Sequence, residues 1–127
     1  MKTIIVSNTT LASALKESLA EYIYRPACAA FCFAHPAHQQ TAAKLNEYLQ
    51  ACEEQNPHES YLILADAFAS TAYNETALLL ERLSLQDRAV IYTGASLPML
   101  LQLYDEDESA TDMELWKKLQ PILQKTA

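Results

Sequence analysis

Four short apolar runs alternate along this chain with segments whose apolar residues recur every three or four positions. The runs are Thr3 to Ser7, Ala27 to Phe33, Tyr61 to Ala65 and Ala89 to Tyr92. Short stretches rich in β-branched, aromatic and aliphatic residues predict strands, and the three-to-four spacing between them predicts helices with one buried stripe. Strand and helix alternating four times predicts a parallel sheet, because right-handed crossovers lay the connecting helices on its faces. The expected fold class is α/β, a doubly wound, mainly parallel four-stranded sheet with helices on both faces, in a single domain over residues 1–127. Ala27 to Phe33 lacks clean alternation, as expected for a strand covered on both faces.

Helix limits follow from caps and breakers. The first pattern uses Leu11, Leu15, Leu19, Tyr22 and Ile23 and stops at Pro26; the second uses Ala42, Leu45, Leu49 and Cys52 and stops at Asn56-Pro57. Ser70 or Thr71 is positioned to cap a third helix running through Leu83, and Leu97 to Tyr104 forms a fourth. Beyond the acidic run Asp105 to Glu108, Thr111 and Glu114 have the spacing of a capping box. A last helix with Leu115, Trp116, Leu119 and Leu123 on one side is expected, kinked at Pro121, and no β-branched run follows it to build another strand.

Composition removes several functional classes. The chain contains one glycine, Gly94, so neither the phosphate loop GxxxxGKS nor the dinucleotide turn GxGxxG is present. Nine Lys and Arg against 16 Asp and Glu leave a formal charge of −7, which repels a nucleic-acid backbone. The N-terminus has no secretory pattern and charged residues interrupt every apolar stretch, so a cytoplasmic protein is expected. Cys28 and Cys32 stand four residues apart on one strand, too far to bridge, and free buried thiols are expected. Cys32, His35 and His38 match no standard zinc spacing, so no metal is expected, and no cofactor.

Ligands of doubly wound sheets bind beyond the carboxyl ends of the strands, where strand order reverses. That rule selects Ser7-Asn8-Thr9, Asp66-Ala67-Phe68 and Thr93 to Ser96. Asn8 suits either a helix cap or a ligand contact, Asp66 either a catalytic partner or an acceptor for loop N–H groups, and Thr71 either a cap or a partner contact. His58, beside Pro57, reads as a surface residue.

Two segments in this set are more specific. Leu64 to Ala77, LADAFASTAYNETA, resembles the strand, aspartate, Gly-Gly-Ser-Pro-Phe-Asn and helix of IIA domains in the mannose family of the sugar phosphotransferase system. Ile91 to Leu103, IYTGASLPMLLQL, is similar to that family's Gly-x-Asn-Leu-Pro-Met-Leu segment, with Gly94, Leu97, Pro98, Met99 and Leu100 in place. The resemblance implies a phosphoacceptor histidine just after the first strand, taking a phosphoryl group from HPr and passing it to IIB. Aligned on that strand, the matching positions are Ser7, Asn8 and Thr9, so Asn8 stands where the histidine is expected. Its carboxamide nitrogen is delocalised and does not attack phosphorus.

The aspartate that orients the family's histidine corresponds to Asp66, while Ala69-Ser70 replace a glycine pair, Thr71-Ala72-Tyr73 replace Ser-Pro-Phe, and Ser96 replaces an asparagine. Losing both glycines is expected to limit any positive φ in that loop. The expected site is therefore Asn8 and Asp66 at the catalytic positions, with Ser7, Thr9, Phe68, Ser70, Thr71 and Ser96 around them. The resemblance further implies HPr and IIB as partners, a homodimer, and contact with the membrane only through a permease complex. The expected function is a IIA-like component that does not carry phosphate at the usual site and acts as a regulatory or binding module. The alternatives are a carrier that uses His35 or His38, and a plain interaction protein of the same fold. A dimer built mainly from helix contacts and the open edge of the fourth strand, without strand exchange, is expected.

Overall fold

The computed structural model describes residues 1–104 and the backbone pairing of residues 124 and 125. The expected Asp105 to Glu108 loop, the Thr111 capping box and the last helix lie outside the described residues. Strands β1 (Lys2–Ser7), β2 (Cys28–Cys32), β3 (Tyr61–Ala65) and β4 (Ala89–Thr93) alternate with helices α1 (Leu11–Leu19), α2 (His38–Gln55), α3 (Thr71–Arg82) and α4 (Leu97–Tyr104). The four strands are parallel in the order β2-β1-β3-β4, as the alternation predicts. The chain winds outward from β1 to β2, then crosses back to β3 and β4, so order reverses between β1 and β3.

Alternation along the central strands builds two cores. Ile4 and Val6 of β1 and Tyr61, Ile63 and Ala65 of β3 pack with Leu45, Leu49, Ala72, Leu79 and Leu80, under α2 and α3. Ile5, Leu62 and Leu64 face the other way, onto Ala12, Leu15, Leu19, Met99 and Leu100 of α1 and α4. Both strands are shielded on each face, which is why they read as continuous apolar runs. Truncating a fully buried residue such as Ile63 to alanine costs about 2–5 kcal/mol in cores of this kind.

Several local expectations are corrected. Helix α1 stops at Leu19, because the N–H groups of Glu21 and Tyr22 tighten onto the carbonyls of Ser18 and Leu19; Tyr22 projects into solvent instead of continuing the buried stripe. Strand β2 lies at a sheet edge, so only Cys28 is buried and Ala29 to Cys32 are half-buried. All three thiols are free, but only Cys28 and Cys52 are buried, with Cys32 half-buried. The edge of β4 is covered: Gln124–Lys125 forms a fifth, antiparallel strand (β5) on Thr93 and Tyr92 of the same chain. That ladder is made by main-chain groups, so the missing β-branched run is no obstacle. The β4 edge, expected to be open, is thus paired within the chain at Tyr92 and Thr93.

At the amino ends of the strands, Arg88 forks onto both oxygens of Glu53 and also reaches the carbonyls of Pro57 and Glu59. Tyr61 donates to the same Glu53 carboxylate at 2.6 Å. The Arg88 hydrogen bonds hold Glu53 below the ordinary glutamate range, while burial and the Glu53 carboxylate push Tyr61 up. This clamp fixes the end of the sheet opposite the predicted site.

Candidate functional site

The carboxyl ends of β1, β3 and β4 bring the predicted residues together, and Ser7, Asn8, Thr9, Asp66, Ser70 and Ser96 each accept from a particular main-chain N–H. Ser7, fully buried at the end of β1, donates through Oγ to the Thr9 carbonyl at 2.6 Å and accepts from the Ala12 N–H at 2.9 Å. Thr9 Oγ1 accepts from the Leu11 N–H at 3.3 Å. Two amides of the first turn of α1 thus find acceptors on residues just before the helix, the usual solution for the orphan amides of a helix start.

Asn8 caps a helix, though not its own. Its Oδ1 accepts from the N–H of Ala72 in the first turn of α3, at 2.8 Å and 64 residues away in sequence. A main-chain donor can meet only the carbonyl oxygen of the amide, which fixes the orientation of the Asn8 side chain. The next amide of α3, that of Tyr73, is taken by Ser70 Oγ at 3.1 Å. Ser70 is therefore the cap of α3, and Thr71 is its first helical residue, exposed to solvent.

Asp66 joins the two loops. Its Oδ2 accepts from the Asn8 N–H at 2.9 Å, and its Oδ1 accepts from the Ala67 N–H at 2.8 Å and from Ser70 Oγ at 2.9 Å. The Asp66 N–H reaches back to the Val6 carbonyl, and its carbonyl accepts from Gly94, so the ends of β1, β3 and β4 meet at this residue. Ser96 accepts from the Met99 N–H at 3.4 Å as the cap of α4.

The loop between β3 and α3 departs from expectation in one respect. Ala69 adopts φ +63 although it carries a Cβ, so loss of the glycine pair has not removed the left-handed turn. Asn74 Nδ2 donates to the Ala69 carbonyl at 3.2 Å and helps hold the turn. Phe68 stands outside it, 63% exposed, with its ring edge-on to Tyr73 at 5.2 Å between centroids.

Neither the identity of Ala72 as the donor nor the strained Ala69 is visible in sequence patterns, since the first depends on a contact between distant loops. The available signal is polar residues at strand ends directly before helices. His35, exposed on the loop after β2, and His38, half-buried as the first residue of α2, stack at 5.8 Å on the same edge of the sheet. Among the described residues no three His, Cys, Asp or Glu side chains converge to hold a metal.

Chemically, the polar side chains at this edge serve as helix caps and loop acceptors. The amides of Ala12, Ala72, Tyr73 and Met99, which point toward this edge from three helix starts, already have protein acceptors. A carboxamide and a carboxylate lie side by side, and among the described residues that bond them there is no imidazole, thiol or amine.

The family described as the PTS system fructose IIA component, EIIA-man, matches residues 2–120. Among solved structures, the mannose/sorbose-specific IIA subunit of the phosphotransferase system from Enterococcus faecalis is 17% identical, with a TM-score of 0.70 over 94% of this chain and 86% of that one. Phosphotransferase system component EIIA from Streptococcus agalactiae is also 17% identical, with a TM-score of 0.67 over 94% and 89%. The PTS IIA protein associated with the fucose utilization operon of Streptococcus pneumoniae is 15% identical, with a TM-score of 0.69 over 98% and 91%. At these identities the structural likeness shows a common fold. No curated relative matches the chain at a significant level.

Proposed function

The chain belongs to the family of PTS fructose IIA components, and on that premise we propose that it is a IIA-like component that carries no phosphoryl group at the usual site and acts as a binding or regulatory module. The observation that supports this reading is the occupancy of Asn8. Its amide nitrogen is not a nucleophile, and its oxygen is engaged by the start of α3. Asp66, the counterpart of the residue that orients the family's histidine, spends both oxygens on Asn8, Ala67 and Ser70. What remains is a surface of the family's shape, with Phe68 and Thr71 exposed beside the site for contact with a partner.

Membership of the family implies interaction with components such as HPr and IIB. We place the protein in the cytoplasm, as a homodimer that meets the membrane only through a permease complex; among the described residues no helix is long and apolar enough to cross one. Incubation with phosphoenolpyruvate, enzyme I and HPr is expected to leave the chain unlabelled while it still binds IIB. Stoichiometric acid-labile phosphate overturns the proposal, and its loss in a His35→Ala or His38→Ala variant would move the carrier function to the segment that joins β2 to the start of α2. Sedimentation giving one species near 14.2 kDa overturns the dimer.

A further inference from the structure

With β5 lying on β4, β2 forms the other end of the sheet, paired among the described residues to β1 alone. The Phe33 N–H donates to the Ser7 carbonyl at 2.7 Å, so by alternation the peptide groups of Ala30 and Cys32 point away from β1. Thr41 Oγ1 takes the Cys32 carbonyl at 2.8 Å, which leaves Ala30 as the mid-strand residue with ladder groups directed outward. Beside it runs a groove of about 500 Å³ between α1 and the segment leading into β2.

Ser13, Lys16 and Glu17 of α1 line this groove with Arg25, Pro26 and Ala30. Lys16 and Arg25 enter no ion pair among the described residues; the Arg25 guanidinium lies over the Tyr24 ring, 5.2 Å from its centroid. Tyr22 and Tyr24 are 66% and 84% exposed on the same connection. In a chain of net charge −7, a groove with two cations and one carboxylate reverses the local sign.

Cations at a strand edge discourage pairing with a second copy, which would bring like charges together, and they favour an acidic strand. We propose that the β2 edge and this groove receive an extended acidic peptide segment of a partner protein by strand addition. Ala30 supplies main-chain hydrogen bonds, and Lys16 and Arg25 take carboxylates on alternate residues. The surface is separate from the Asn8 and Asp66 site, so the proposal stands whether or not that site carries phosphate.

The test is a fluorescence-anisotropy titration of the full chain with a fluorescein-labelled Asp-Val-Glu-Val-Asp-Val peptide, set against its Asn-Val-Gln-Val-Asn-Val counterpart. Saturable binding is expected for the acidic peptide, weakening between about 50 and about 500 mM salt as screening grows. Replacing Lys16→Ala together with Arg25→Ala is expected to cost about tenfold in affinity or more. Ala30→Pro removes an outward N–H at an edge position where proline is tolerated, and is expected to abolish binding with an unchanged circular dichroism spectrum. Equal binding of the neutral peptide, or affinity unchanged in the charge variant, overturns the proposal even if Ala30→Pro fails to fold. So does a dimer that Ala30→Pro converts to monomer, since a second copy would then hold the edge.

Discussion

The main-chain N–H of Asn8 donates to Oδ2 of Asp66 at 2.9 Å, tying the end of β1 to the end of β3 where the sheet's two windings diverge. Asn8 then passes the connection on, through Oδ1, to the first turn of α3. The two residues thus act as a structural link between the ends of two neighbouring strands and the start of a helix.

Asp66→Ala is expected to destabilise the protein by about 1–3 kcal/mol, because the donors of Asn8, Ala67 and Ser70 lose their acceptor in a partly buried loop. Asn8→Ala, which removes one helix cap, is expected to cost about 1 kcal/mol. Urea denaturation measures both. The double variant should fall short of the sum, since the residues share a network.

Asn8→His alone is expected to leave the chain unlabelled by phospho-HPr. An imidazole there meets an Asp66 carboxylate already engaged by three donors and a loop held by Ser70 and Ala69. Labelling of this single variant at the rate of an intact carrier would contradict this.

Ala69→Gly is expected to raise stability by up to about 1 kcal/mol. The left-handed backbone at φ +63 strains an alanine by about 1–2 kcal/mol, and the greater freedom of glycine in the unfolded chain returns part of that gain. A melting temperature lower than that of the parent chain would contradict this.

Thr76 is fully buried in α3, and its hydroxyl has no hydrogen-bond partner among the described residues. Valine keeps the shape and removes the cost of a desolvated hydroxyl, so Thr76→Val should stabilise by about 1 kcal/mol. Thermal melts of the two proteins at one pH decide the matter.

The acid limb of stability should depend on Glu53. Arg88 lowers its folded-state value below that of the unfolded chain, so its contribution is complete above the ordinary glutamate range and disappears as pH falls through the lowered value. Glu53→Gln is expected to destabilise at neutral pH and to flatten the decline below about pH 4.5, the ordinary value, in urea midpoints measured across pH.

Strand order illustrates what pattern reading reaches and where it stops. The run Tyr61 to Ala65 is legible as a buried strand because both its faces are apolar, and its observed limits are the same. Ala27 to Phe33 reads the same way, yet β2 lies at the edge, since small apolar residues carry no mark of whether a neighbour occupies the strand's flank. The β5 pairing escapes notice for a related reason: Gln124 and Lys125 join through main-chain groups that every residue possesses.

Periodicity, breakers and the placement of polar residues at strand ends were enough for the alternating α/β architecture, for the shared carboxyl edge at which Asn8 and Asp66 lie, and for Ser70 as one of two candidate caps of α3. These features are local, written in spacings of two, three and four residues. Which group each side chain meets was decided only in three dimensions. Asn8 reaches Ala72 across 64 positions because β1 and β3 lie side by side, and Ala69 holds a left-handed turn because Asp66, Ser70 and Asn74 surround it with hydrogen bonds. Contacts of that kind depend on the packing of distant segments, and no short window of sequence contains both partners.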